Sequence, residues 1–198
     1  MQAQAELDAF DESALLLRCQ QGDRASFDPI VLRYMRRATA FALGWTGSQQ
    51  DALDLSQEAF AQAFRSIRSF DTARPFFPWY HRILKNLCLN HIAKASRRHE
   101  VPLVDDDEFE QDGVTPEQYA EREELRRQVW QALRRLEPVH REILILREFQ
   151  QLTYAELSTV LEIRRGTVMS RLHEARQKLR LQLEPVLRSQ EPRGYGDA

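Results

Sequence analysis

Apolar residues recur along most of this chain at spacings of three and four, the period of a helix with one buried face. Ser13 to Gln20 carries the run ALLLRC, and Ala25 to Trp45 is a longer amphipathic stretch. Asp51 to Ile67 repeats apolar positions at Leu55, Ala59, Phe60, Ala63, Phe64 and Ile67. Pro75 and Pro78 then bracket a break, and the pattern predicts a further helix over Trp79 to Lys94, with Pro78 suited to a first helical turn. Farther on, Pro116 to Leu136 reads as a helix rich in Glu and Arg. Pro138 can open the next one, ending near Phe149. The chain contains no internal repeat or heptad array of useful length.

The richest stretch is Leu152 to Arg180. Thr153 and Glu156 form the capping-box pattern, in which the threonine oxygen takes the fourth residue's amide and the glutamate reaches back, so a short helix over Tyr154 to Leu161 is well started. Leu161 to Arg165 is then a turn. Gly166 and Thr167 open a second helix whose inward stripe is Val168, Leu172, Ala175 and Leu179. At 100° per residue the opposite face carries Met169, Ser170, His173, Glu174 and Gln177, with Arg171, Arg176 and Lys178 on its flanks. This is the grammar of a helix-turn-helix, with base-reading groups outward and cations where phosphates would run. A basic amphipathic helix alone is an ordinary surface helix; the cap, the turn and the sided cations together favour the DNA-binding reading.

Charge first argues against nucleic acid, because the 198 residues carry 28 Lys and Arg against 30 Asp and Glu, a net −2. The average conceals a pattern. Residues 1–98 hold 13 basic against 10 acidic residues, 99–120 hold none against 8, and 121–198 hold 15 against 12, or +3, −8 and +3. Between Arg164 and Arg180 there are six Lys and Arg and one Glu. The acidic segment EVPLVDDDEFEQDGVTPEQYA, punctuated by Pro102, Gly113 and Pro116, reads as a linker between two mildly basic domains. The fold class expected is therefore all-α, with a helical bundle at 11–98, an acidic flexible linker at 99–120, a helix-turn-helix domain at 121–182 and a short polar tail at 183–198.

Seven glycines and 29% charged residues fit neither collagen-like nor many-turned all-β classes. No apolar run approaches the ~20 residues that span a bilayer, and Glu6 and Asp8 stand where a signal peptide would be basic and apolar, so a cytoplasmic protein without membrane insertion is expected. Cys19 and Cys88 cannot form a disulfide framework.

A second constellation surrounds Pro75 and Pro78. Phe70, Phe76, Phe77, Trp79 and Tyr80 precede a helix, Arg82 to Arg98, with five Lys and Arg and no acid. Aromatics beside a cationic helix suit single-stranded DNA, whose bases offer faces to stack on while its backbone demands positive charge. Most of these aromatics are expected to pack inward all the same. The more discriminating feature is a stripe of Trp79, Asn86, Asn90 and Arg97, which sets amides on one face where they can bond to base edges.

The two constellations, in this order and with an acidic linker between them, resemble a bacterial RNA polymerase sigma factor of the sigma-70 family, of the compact extracytoplasmic-function (ECF) type. The resemblance spans roughly residues 11–182. DALDLSQEAFAQAFRSIRSF is similar to the family's polymerase-binding helix, and PFFPWYHRILKNLCLNHI to the segment that melts and reads the minus-ten element. The stretch from Leu133 to Arg180, with its specific string GTVMSRLHEAR, is similar to the domain that reads minus-thirty-five duplex. The family does not catalyse a reaction and needs no cofactor. Its partners would be core RNA polymerase, through the β′ clamp coiled coil and the β flap, promoter DNA in duplex and single-stranded form, and an anti-sigma factor where one exists.

Carried over position by position, the resemblance implies that Asp51, Asp54, Leu55, Gln57, Glu58 and Phe60 lie on or near the helix that docks on the clamp. It implies a base-capturing loop from Ser69 to Phe76 that includes Phe70, Asp71 and Arg74, with Lys85, Asn86 and Asn90 near the adjoining bases. Trp79 and Arg97 join that set from the amide stripe. Extruding a base costs a few kcal/mol of unstacking, which a preformed pocket must offset. Arg164, Arg165, Thr167, Met169, Ser170, Arg171, His173, Glu174, Arg176 and Lys178 would face the minus-thirty-five major groove. There Glu174 could accept from a cytosine amine and Arg171 hold a phosphate. The acidic linker would thread toward the polymerase active-site cleft. This chain departs from the family at Glu162, where the turn usually has Gly, and at Arg164, where Pro is common; a left-handed turn without glycine costs of order 1 kcal/mol.

Other classes have less behind them. There is no Gly-rich phosphate loop, His-Glu metalloprotease pattern or pair of spaced cysteines. His81, Cys88 and His91 share one side of a helix but lack a fourth metal ligand. A stand-alone helix-turn-helix regulator, whose first domain senses or dimerises, is the main alternative, and a helical adaptor that binds only protein is another.

Overall fold

In a computed structural model that describes residues 11–98 and 116–190, most helices begin where a polar side chain or a proline can deal with the unpaired first amides. Asp11 caps α1 (Glu12–Gln20) by accepting from the Ala14 amide at 2.9 Å. A single 3-10 turn, Arg24–Phe27, leads into α2 (Asp28–Thr46), three residues later than the periodicity predicts. Pro29 needs no amide partner and fits the first turn. Gly47, at φ 73°, ends α2 in the left-handed conformation that a Cβ would disfavour, and Ser48 immediately caps α3 (Gln49–Ser66). After a 3-10 turn at Ile67–Ser69, α4 runs over Phe76–Arg98 and carries Pro78 in its first turn.

These elements make the first of two compact units, Met1–Val101. Its core is largely aromatic. Phe60 stacks on Tyr80 with ring centroids 4.3 Å apart, Phe76 stacks on Tyr80 at 5.7 Å, and Phe27 meets both Phe60 and Phe76 edge-on. Phe41 packs against the buried His81 at 4.5 Å. Burial of nine aromatic rings in so small a unit supplies much of its apolar area.

The second unit, Pro102–Ala198, contains α5 (Pro116–Arg134), α6 (Pro138–Leu144), α7 (Tyr154–Leu161) and α8 (Arg165–Gln190). Ile143 and Leu144 at the end of α6, with Ile145 and Leu146 just after it, are all buried, and α8 is the helix against which α5, α6 and α7 each pack. Helix α6 runs into a π-helical turn, Ile145–Phe149. Arg141 reaches back and donates to the carbonyls of Leu133, Arg134 and Leu136, satisfying the end of α5. Its burial, with Arg134 nearby, holds its pKa down at about 10.

Helix α5 starts at Pro116, as the pattern predicts, and so takes in the end of the segment 99–120 also read as linker, because a proline suits a first turn. The tail expected at 183–198 begins inside α8, which continues through Pro185 to Gln190. One missing amide removes a single hydrogen bond from a run of otherwise good helix formers. The acidic core of the linker and its proposed path lie outside the described residues.

Candidate nucleic-acid and polymerase interfaces

The first candidate surface is the outer face of α3. Ala52, Ser56, Ala59, Phe60 and Ala63 turn inward, which leaves Asp54, Gln57 and Glu58 exposed and Asp51 and Leu55 half-buried. Asp51 lies 3.4 Å from His91 of α4, and Asp54 accepts from Gln50. Glu58 accepts from Gln62 and Arg65, and these bonds hold its carboxyl below the usual carboxylate range. The surface is acidic, with Leu53 exposed beside it. Phe60 does not belong to it. Its ring is in the core against Tyr80, so it orients α3 and has no surface to offer a partner.

The second candidate is the loop between α3 and α4 with the solvent face of α4. Phe77, Tyr80, His81, Leu84 and Cys88 form the buried stripe of that helix, so Asn86 and Asn90 stand one turn apart on the exposed face, with Lys85 half-buried next to them. In the loop, Asp71 accepts from the Ala73 amide, its carbonyl accepts from the Arg74 amide, and its carboxylate lies 3.4 Å from the Arg74 guanidinium. The side chains of Asp71 and Arg74 are therefore local turn formers that remain exposed. Ser69 is exposed and donates to the Ser66 carbonyl. Of the aromatics, Phe70 and Phe76 are buried and cannot meet a base without rearrangement, while Trp79, half-buried, lies against Phe70 at 4.7 Å. Arg97 lies in the last turn of α4, where only the backbone is described.

The third candidate is α8. Thr153 and Glu156 close the expected capping box on α7. Glu162 takes the left-handed turn at φ 54°, ψ 41° in spite of its side chain, and the turn is tied by Ser158 donating to the Ile163 carbonyl at 2.6 Å. Val168, Leu172 and Ala175 are buried as the stripe requires. Met169, 60% exposed, stands beside Thr167, Ser170 and His173 on the outer face, with Arg164 and Arg165 at the helix entrance and Arg171 half-buried on the flank.

Ser170 donates to the carbonyls of Gly166 and Thr167 and His173 pairs with Gln177, all on α8 itself, while the other three predicted readers form ion pairs within the domain. Glu174 lies 2.9 Å from Lys178 and 3.3 Å from His140, Lys178 also meets Glu137, and Arg176 meets Glu148 at 2.7 Å. The bond from Lys178 lowers the Glu174 carboxyl, and the bonds from Glu174 and then Glu137 raise the Lys178 ammonium. Exposed pairs of this kind are weak, so these side chains can still exchange partners for a phosphate, but their resting aim is toward α6 and the turn after it.

Sequence reasoning did not find Glu12, Ser13 and Gln20. Gln20 donates to the carbonyls of Ile67 and Phe70, Ser13 donates to that of Thr72, and Glu12 accepts from the Phe76 amide and from the Tyr34 hydroxyl. No local motif marks such contacts, which join residues 47 to 64 positions apart, Tyr34 excepted. His81 and Cys88, raised as metal ligands, are core residues, and burial pushes the Cys88 thiol up to about 12. Among the described residues, no cluster of three or more His, Cys, Asp or Glu is placed to hold a metal ion, and no helix is long and apolar enough to cross a membrane.

The family described as sigma-70 region 2 matches residues 30–98, and that described as sigma-70, region 4 matches residues 126–179. The RNA polymerase sigma-H factor of Pseudomonas aeruginosa is 34% identical over 185 residues, covering 89% of this chain and 96% of that protein. The ECF RNA polymerase sigma-E factor of Escherichia coli is 30% identical with the same coverage. Among solved structures, the sigma factor RpoE in complex with the anti-sigma factor NepR from Bartonella quintana aligns with a TM-score of 0.60 at 23% identity, over 80% of this chain and 96% of that one.

Proposed function

The chain belongs to the sigma-70 family of RNA polymerase sigma factors, in its ECF group, and we propose that three surfaces divide the work of promoter recognition among them. It is a transcription initiation factor, not an enzyme, that binds core RNA polymerase and directs it to promoter DNA. Both domains match the family in the family's order, which leaves the stand-alone regulator without support.

In this reading the acidic face of α3, with Asp51, Asp54, Leu55, Gln57 and Glu58, meets the β′ clamp. Ser69, Asp71 and Arg74 of the loop, with Trp79, Lys85, Asn86 and Asn90 of α4, take the melted minus-ten strand. The exposed face of α8 around Thr167, Met169, Ser170, Arg171 and His173 enters the minus-thirty-five major groove. The observation that carries the reading is the segregation of side chains on α4 and α8, where apolar stripes are buried and amides, hydroxyls and cations are left outward at helical spacing. An anti-sigma factor is the further partner class this reading admits, as in the Bartonella quintana complex.

Site-specific photocrosslinking in the assembled holoenzyme tests the placement. A probe at Asn86 is expected to label the minus-ten non-template strand and a probe at Ser170 the minus-thirty-five duplex; labels exchanged between the two elements, or absent from both, contradict it.

A further inference from the structure

The base-capturing loop assigned above is short, exposed and built on a turn of its own, yet its two ends are fixed from outside by one helix. Gln20, on the last turn of α1, donates from a single amide nitrogen to the carbonyls of Ile67 at 2.9 Å and Phe70 at 2.7 Å, where the chain leaves α3. At the other end of α1, Glu12 accepts from the amide of Phe76, the first residue of α4, at 3.0 Å, and its second oxygen takes the Tyr34 hydroxyl of α2. Ser13 reaches the carbonyl of Thr72 in the middle of the loop at 3.3 Å. Apart from the inward ring of Phe70, the connection from Phe70 to Pro75 has no buried apolar residue, so packing alone leaves it loosely held.

We propose that Glu12 and Gln20 are positioning residues for promoter opening, and that α1 acts as a brace that holds the loop in the shape that receives an extruded minus-ten base. The inference rests on the reading of the loop as the capture site. Extrusion costs a few kcal/mol, and a loop that must first order itself adds its own entropy to that barrier. The brace removes that addition before DNA arrives. Glu12 suits the task because one carboxylate joins three elements. Its oxygens take the free first amide of α4 and a phenol of α2, so the start of the reading helix, the loop end and the core are fixed relative to one another.

The test follows 2-aminopurine fluorescence at the minus-ten position with holoenzyme in excess, which separates closed-complex affinity from the opening rate. Each lost hydrogen bond is expected to slow opening about fivefold. Each of Glu12→Ala and Gln20→Ala removes two such bonds and should therefore slow opening by about 5- to 25-fold with closed-complex affinity within about twofold. Glu12→Gln, whose amide can still accept from the Phe76 amide and donate to Tyr34, should restore most of the rate. Trp79→Ala and Asp71→Ala serve as probes of the capture site itself. If these two slow opening while both α1 variants open at the wild-type rate, the brace is overturned and the capture site stands. If all four leave opening unchanged, the capture site fails and the brace with it. Gln20→Ala, at the other end of α1, keeps the proposal testable should Glu12→Ala not fold.

Discussion

The Glu174 carboxylate lies 3.3 Å from a ring nitrogen of His140, which joins the flank of α8 to the first turn of α6. Lys178, one turn farther on, completes the cluster at 2.9 Å from Glu174 and 3.1 Å from Glu137. A residue that the sequence offers as a base reader is thus also a tie that sets the angle of its own helix.

The pH dependence of that tie has a definite sign. Hydrogen bonding from Lys178 lowers the Glu174 carboxyl below its ordinary value of 4.5. Its contribution to stability is therefore present above pH 4.5 and lost as pH falls through the lowered folded value. Glu174→Gln should melt below the wild type at neutral pH, and the gap should close in acid below that range. Thermal melts of both proteins from pH 3 to pH 8 check this.

Arg171 and Ser170 are expected to fail differently. A phosphate contact weakens binding to every sequence, while a base contact changes the ranking of sequences. Arg171→Ala should lower holoenzyme affinity for matched and altered minus-thirty-five elements alike and reduce the salt slope by about one. Ser170→Ala should reorder the altered elements with a smaller effect on average affinity. Equal effects of both variants across the panel contradict the division.

Phe60 and Glu58 lie two residues apart on one helix with opposite fates. Truncating Phe60 leaves a cavity beside Tyr80, so Phe60→Ala should cost about 3–5 kcal/mol of unfolding free energy in the first domain. Glu58→Ala, which removes an exposed carboxylate, should leave denaturant unfolding nearly unchanged and weaken association with core polymerase. Chemical denaturation beside a polymerase-binding titration distinguishes them.

Glu162 holds a left-handed conformation at φ 54°. Replacement by glycine relieves the Cβ, offset in part by a freer unfolded chain. Glu162→Gly should then stabilise the second domain by about 0.5–1 kcal/mol, readable as an increase of a few degrees in Tm.

What the sequence made legible was local. The capping box at Thr153 and Glu156 spans four residues, and the stripe of Val168, Leu172 and Ala175 spans two turns, so each could be read from spacing alone. Pro78 and Pro138 likewise announced helix starts because a proline restricts only its own neighbourhood. The aromatic cluster around Pro75 was legible as a cluster, but which ring lay inward depended on Phe27, Tyr34 and Phe60, on other helices. Glu12 at Phe76 and Glu174 at His140 were hidden for the same reason. Their partners are 64 and 34 residues away, and nothing in the spacing of one helix reports what another brings to it. Glu162 is a third case, since the favourable bond between Ser158 and Ile163 that helps to hold the turn carries no sequence signature.

Transcription reconstituted from purified components tests the central claim most directly. Core polymerase on a template carrying a cognate promoter should give a transcript with one defined start only when this chain is added. The chain alone, with segments 1–98 and 121–198 at only +3 each, should leave the same duplex unshifted at physiological salt. A chain that shifts the duplex by itself and gives core polymerase no promoter-specific start would contradict the account.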